Sequence, residues 1–205
     1  KEAKAAALII DDFLDKAPKR NGIISIYEEK GAEEAVLYGE ILKSSALIEF
    51  IRLVSLLNVN EHKKIEAIKL FELVYKIICL GQLEDIELGK KEIGKDVLKE
   101  EDYLEMIRKT SAVFIQFPVV LASILSEYDK EEIEHLKKFG IDIGLAYQIR
   151  DDVLDVIGDQ EYIGKVYSTD IRERRKRILL IYSLKNGSGE DIKKLTEIYN
   201  KKEDI

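Results

Sequence analysis

Gly144-Leu145-Ala146-Tyr147-Gln148-Ile149-Arg150-Asp151-Asp152-Val153-Leu154-Asp155 is the stretch whose reading decides the fold. Apolar residues recur around it from Ile143 through Ile149 and Val153 to Ile157, which places it inside a long helix. On a helix, Asp151 and Asp155 lie four apart and Asp152 and Asp155 three apart, so the acids project to nearly one side. Like charges at that spacing cost a helix about 0.2–0.5 kcal/mol per pair. The same spacing returns in Asp11-Asp12-Phe13-Leu14-Asp15, again at the end of an apolar run, Ala5 to Ile10. Two such clusters on two helices call for a common counter-charge. Hard cations with oxygen ligands supply it, and Mg²⁺ is the expected one, because it is usually held by a few carboxylates plus substrate phosphates. An acidic triplet on a helix is more often a solvated face. Here the apolar surroundings argue against that, since buried carboxylates are paired or bound to metal.

Working outward, Asp129-x-x-Glu132 opens this helix as a capping box. Before it, Glu101 to about Tyr128 is an apolar-periodic helix expected to kink at Pro118. Asn60 caps a helix from Glu61 to about Leu88, and another runs from Ala32 to about Leu57. Lys1 to about Lys16 leads into the first acidic cluster, and Ala17 to Gly22 is a loop marked by Pro18 and Asn21-Gly22. Gly89 to Lys99 is a polar connector. A helix from about Arg172 to Lys185 stops at Asn186-Gly187, and Ser188-x-x-Asp191 opens the last one. Every element is helical, so the expected fold class is all-α, a single domain over residues 1–205.

Composition narrows the function. The 205 residues suffice for one sizeable core, and 46% apolar residues is a globular share. Forty acids against 33 bases leave a net charge of −7 with no basic stripe, which argues against nucleic acid as a partner. No apolar run reads as long and charge-free enough to span a bilayer, and no secretory signal pattern is present. The single Cys79, read as a core thiol, fits a reducing, cytoplasmic setting. His62 and His135 lie on polar stretches and read as surface residues, so no histidine base is at hand.

With these motifs in place, the chain resembles the trans-isoprenyl diphosphate synthases of the polyprenyl synthetase family. Gln148 and the second cluster match that family's Gln-x-x-Asp-Asp-x-x-Asp, and Gly164-Lys165 and Asp170-Ile171 follow as they do there. Gly81-Gln82-Leu83-Glu84-Asp85 is similar to its Gly-Gln-x-x-Asp, and Lys109-Thr110 to its Lys-Thr pair. The resemblance covers nearly the whole chain. It implies an isoprenoid-synthase-type bundle around a central cavity, with the two aspartate clusters facing across its mouth. It implies that Asp11, Asp12, Asp15, Asp151, Asp152 and Asp155 serve Mg²⁺. It further implies that Arg20, Lys109, Thr110, Gln148, Lys165, Arg175 and Gln82 lie on the substrate side, with Lys109 and Lys165 on the allylic diphosphate. The implied reaction condenses isopentenyl diphosphate with an allylic diphosphate. Chain length in the family is set just before the first cluster, where this chain has Ala3, Ala6 and Ala7. That implies a deep slot and a geranylgeranyl-type or longer product.

The chain also departs from the pattern. Asn21 stands where a second arginine is usual, Arg175 replaces a lysine, and Arg174 and Arg177 replace small residues and threonine. Arginine keeps the charge of lysine but changes its geometry. In the family a segment with a Gly-Gly-Lys-Arg-like stretch precedes the point where this sequence starts. That segment is then cleaved, deleted, carried by a second polypeptide as in a split enzyme, or part of a longer protein of which this chain is a fragment. Family members are commonly dimers, so the resemblance implies a homodimer, or a hetero-oligomer whose small subunit carries the segment. Three other readings stay open. One is a non-catalytic or regulatory subunit of a heteromeric synthase, and another is a terpene cyclase of related fold. The third, a di-metal carboxylate bundle, needs Glu-x-x-His pairs that the two histidines are poorly placed to supply.

Overall fold

The structure is a computed structural model and describes residues 2–20, 22–126, 128–158 and 169–201. It divides into two compact units, Lys1–Ile68 and Lys69–Ile205, and the division falls inside a helix.

In the first unit α1 (Glu2–Leu14) packs along α3 (Ala32–Ser55), with the short α2 (Ile26–Lys30) also on α3. Small residues set that seam. Ala6 is 2% exposed, and Ile10, one turn further on, meets Gly39 of α3. The loop expected over 17–22 contains part of a hairpin, β1 (Lys19–Arg20) pairing antiparallel with β2 (Ile23–Ile24). Gly22 takes φ +76°, the left-handed turn conformation that glycine adopts without strain. Buried Ser25 ties the hairpin down: its Oγ accepts from the Glu28 amide at 3.1 Å and donates to the Ala17 carbonyl at 2.6 Å. On α3, Leu37, Ile41, Ile48 and Ile51 form an exposed apolar stripe.

α4 (Glu61–Lys90) starts where Asn60 Oδ1 accepts from the His62 amide at 2.7 Å. Cys79 is exposed on it, which corrects the core-thiol expectation. The second unit continues with α5 (Glu100–Ile107), a π-turn over Arg108–Ala112, α6 (Val113–Leu125) and α7 (Lys130–Ile157). The expected capping box at Asp129 is present, with both Asp129–Glu132 bonds at 2.9 Å. The α-helical register breaks at the π-turn, which contains Lys109-Thr110, while Pro118 is carried inside α6. Single π-turns inside helices recur at functional sites.

By length and composition alone the run Glu100–Leu125 would pass for a membrane span, contrary to the expectation that no stretch does. Only 28% of its apolar window is buried in this chain, where α6 and the π-turn lie against α7 at Gly140 and Gly144. A Cβ on Gly144 would stand 2.4 Å from the Ala112 Cα, so only glycine admits that approach.

After residue 168, one expected helix over 172–185 is two, α8 (Thr169–Arg172) and α9 (Ile178–Asn186). The break is a turn in which Arg174 takes φ +56°. α10 (Gly189–Asn200) follows, opened by the expected Ser188 capping box. Leu88, Tyr103, Met106, Ile107 and Ile181 form one core cluster, and Ile93, Leu180 and Tyr199 another.

Tyr199 gives a pH signature. Burial, then the charges of Asp170 and Asp155, push its phenol up to about 12. A phenol with a raised folded-state pKa contributes stability that is complete below pH ~10 and lost as pH rises through the folded value. Tyr199→Phe is therefore expected to unfold at the same temperature as wild type at pH 8 and to lose less stability near pH 12, as read by thermal melts.

Candidate functional site

The site residues fall on both units, and each unit holds one acidic triplet. In the first, Asp12 is 5% exposed while Asp11 and Asp15 are half-buried. The β1 hairpin carries Arg20 back to α1. Its Nε donates to Asp12 Oδ1 at 2.7 Å and its Nη2 to Asp11 Oδ2 at 2.6 Å. Burial pushes the Asp12 carboxyl up, and the Arg20 guanidinium pulls against it. This carboxylate face therefore already binds a cation. Ala3 and Ala7 are half-buried, whereas Ala6 belongs to the seam with α3.

In the second triplet the middle acid is again the enclosed one. Asp152 is 4% exposed and both its oxygens are engaged: Tyr103 Oη donates to Oδ2 at 2.6 Å and Gln148 Nε2 to Oδ1 at 2.7 Å. Ser111 Oγ in turn donates to Gln148 Oε1 at 2.7 Å. Burial raises the Asp152 carboxyl, opposed by Arg177, Tyr103 and Gln148. Burial and the Asp152 charge raise the Tyr103 phenol, which keeps it a donor. Asp151 and Asp155 are half-buried, and Asp155 Oδ2 accepts the Asp170 amide at 3.0 Å. Burial carries Asp170 itself up to about 7 even with Arg177 opposing.

Lys109 lies on the π-turn. Its ammonium meets Glu84 Oε1 at 2.5 Å and Glu105 Oε1 at 3.2 Å. Thr110 Oγ1 donates to the Met106 carbonyl at 3.1 Å. Gly81 lets α4 come this close, since a Cβ there would stand 2.9 Å from the Thr110 nitrogen. Gln82 is half-buried on α4. Arg175, expected on the substrate side, reaches Asp85 Oδ2 at 3.0 Å and Glu173 Oε2 at 2.6 Å. Asn21, Gly164 and Lys165 lie outside the described residues. His62 and His135 are exposed, as expected.

Sequence reasoning misses Tyr103, Ser111, Glu84, Glu105 and Arg177 as neighbours of these residues. Only Arg177 leaves a signal, as one of a run of arginines where the resemblance anticipates small residues. Among the described residues no three His, Cys, Asp or Glu side chains are gathered closely enough to hold a metal ion on their own.

The polyprenyl synthetase family model matches residues 3–205. A short chain isoprenyl diphosphate synthase of Methanocaldococcus jannaschii is 34% identical over 196 residues, 95% of this chain and 57% of that protein. A geranylgeranyl diphosphate synthase of Saccharolobus solfataricus is 30% identical, over 96% of this chain and 57% of that one. The crystal structure of a geranylgeranyl pyrophosphate synthetase from Pyrococcus horikoshii superposes with a TM-score of 0.85 at 27% identity, covering 98% of this chain and 59% of that one. The chain thus spans a little over half the length of these relatives.

Proposed function

The chain belongs to the polyprenyl synthetase family, and from that premise we propose that it is the aspartate-bearing part of a Mg²⁺-dependent trans-prenyltransferase. It condenses isopentenyl diphosphate with an allylic diphosphate to give a geranylgeranyl-type product. One observation carries the reading. In both triplets the middle acid is the buried one, Asp12 beside Arg20 and Asp152 with both oxygens engaged by Tyr103 and Gln148, while Asp11 and Asp155 also accept a bond each. Asp11 with Asp15, and Asp151 with Asp155, are pairs four apart on the more accessible side of each helix. The pairs are then the metal ligands, and the middle acids orient them. This refines the expectation that all six acids coordinate.

The donor set fits the ion. Mg²⁺ takes one or two carboxylates and completes its shell with water and phosphate oxygens, so it needs no closed protein cage. The pairing of Arg20 with Asp11 and Asp12 supports a first triplet that takes up positive charge. Bound there, Mg²⁺ neutralises diphosphate charge. Arg20 in the first unit and Lys109 in the second are each proposed to meet diphosphate oxygens by exchanging a carboxylate partner for them. The allylic carbon loses its bond to the diphosphate oxygen, and the double bond of isopentenyl diphosphate attacks that carbon. The proton lost from the new chain goes to the departing diphosphate, so no protein base takes part.

Product length is set, in the family, just before the first cluster, and the same is proposed here. Ala7 lies one turn before Asp11 on the same face and Ala3 one turn earlier still. A phenylalanine at the buried Ala6 would disturb the α3 seam as well as the product. Ala7→Phe is therefore the cleaner test and is expected to shorten the main product by at least one five-carbon unit, read by sizing the extracted alcohols. An unchanged product removes Ala7 from this role.

The direct test supplies labelled isopentenyl diphosphate, an allylic diphosphate and Mg²⁺. It is run with the chain alone and with a polypeptide carrying the remainder of the relatives' length. Label in a longer prenyl diphosphate is the expected result. Retention of allylic diphosphate without turnover in either arrangement would favour a non-catalytic subunit.

A further inference from the structure

Beyond the motifs already used lies a run of contacts that starts on α4 and ends on the last acid of the second triplet. Asp85 receives three charged hydrogen bonds. Arg177 Nη1 reaches Oδ1 at 2.6 Å, Arg177 Nη2 reaches Oδ2 at 3.2 Å, and Arg175 Nη1 reaches Oδ2 at 3.0 Å. The side chains of Asp85 and Arg177 are each 15% exposed. Arg177 Nε lies 3.7 Å from Asp170 Oδ1, and the Asp170 amide is the donor to Asp155. The turn that aims these arginines is fixed on its other side. Buried Lys176 donates to the carbonyls of Gly89, at 3.1 Å, and Arg174, at 3.0 Å, and its ammonium lies over the Tyr199 ring.

A forked arginine on a carboxylate fixes direction as well as charge. Taking such a pair out of water returns little net stability, because desolvation offsets the attraction. What the clamp contributes here is geometry. We infer that Arg177 is a positioning residue for the second aspartate cluster. By gripping Asp85 and facing Asp170, it fixes the amide that occupies Asp155 Oδ2 and so leaves Oδ1 for a divalent cation. The inference rests on the reading of that cluster as a metal site. Partners one shell out from a metal orient its ligands, and losing one typically lowers metal affinity by roughly 10–100-fold.

Equilibrium dialysis of labelled inorganic pyrophosphate against increasing Mn²⁺ tests this without turnover. The quantity read is the Mn²⁺ concentration at half-maximal retention, with thermal midpoints in parallel. Arg177→Gln is expected to raise that concentration roughly tenfold or more and to lower the midpoint, since it leaves Asp85 with a weakened set of partners. Arg177→Lys, which keeps the charge without the fork, should fall between. The double variant Arg177→Gln/Asp85→Asn removes the stranded charge. It should recover the midpoint while the Mn²⁺ requirement stays high. It also serves if the single variant fails to fold. Recovery of both quantities in the double variant, or a single variant altered only in its midpoint, would reduce Arg177 to a packing residue. Wild type retaining pyrophosphate equally without Mn²⁺ would overturn the metal-site reading and this inference with it. Mn²⁺-dependent wild type with unchanged variants would overturn the inference alone.

Discussion

Asp11→Ala and Asp151→Ala are each expected to slow condensation by roughly two to three orders of magnitude, the equivalent of several kcal/mol of charge stabilisation by a bound ion. Asp11→Ala should leave the fold nearly untouched. Arg20 keeps its bond to Asp12 when Asp11 is lost, and a half-exposed ion pair is worth about 0–1 kcal/mol. The middle acids predict the opposite balance. Asp152→Ala strands the Tyr103 hydroxyl and the Gln148 amide in a buried site, at a cost of about 3 kcal/mol. For a chain of this size that lowers the melting temperature by roughly 6–12 °C. Kinetics and thermal melts on the same four variants, Asp11, Asp12, Asp151 and Asp152 each to alanine, separate the two roles. Equal loss of melting temperature at all four positions would dissolve the distinction.

Gly144→Ala is the second large effect, and it acts through packing alone. The added methyl would start 2.4 Å from the Ala112 Cα and 2.9 Å from its carbonyl oxygen, both backbone atoms that no rotamer change can move aside. Overpacking of this kind costs about 3 kcal/mol, or roughly 6–12 °C in melting temperature. Ala112 closes the π-turn that carries Lys109 and Thr110, so the displaced helix also moves those groups. Loss of activity is expected to exceed what the residual folded fraction explains. Gly89→Ala is the matched control, since no atom lies within 4 Å of its added methyl. A Gly144→Ala protein melting like wild type would show that the π-turn does not pack this tightly on α7.

How far the sequence reaches depends on the range of the interaction. The two triplets, their helices and the capping boxes at Asp129 and Ser188 are set by neighbours within four residues, and all are legible. Gly22 marks its turn, yet the pairing of Lys19 with Ile24 and Arg20 with Ile23 depends on Ser25 anchoring the hairpin. Contacts across long separations leave no local trace. Tyr103 reaches Asp152 across 49 residues and Arg177 reaches Asp85 across 92. The break between α8 and α9 carries no glycine or proline at all. Arg174 is held in the left-handed region by what its neighbours grip, Arg175 and Arg177 on Asp85 and Lys176 on Gly89. Likewise Pro118 is the visible irregularity in its helix, while the π-turn is set by tertiary packing against Gly81 and Gly144.

The central claim is that the outer aspartates and a divalent ion together grip an allylic diphosphate. Calorimetric titration of the chain with farnesyl diphosphate, with Mg²⁺ and then with EDTA, tests it most directly. Saturable binding that needs Mg²⁺ and is lost in Asp11→Ala is the predicted result. Equal binding in EDTA, or Mg²⁺-dependent binding untouched by Asp11→Ala and Asp151→Ala alike, would contradict it.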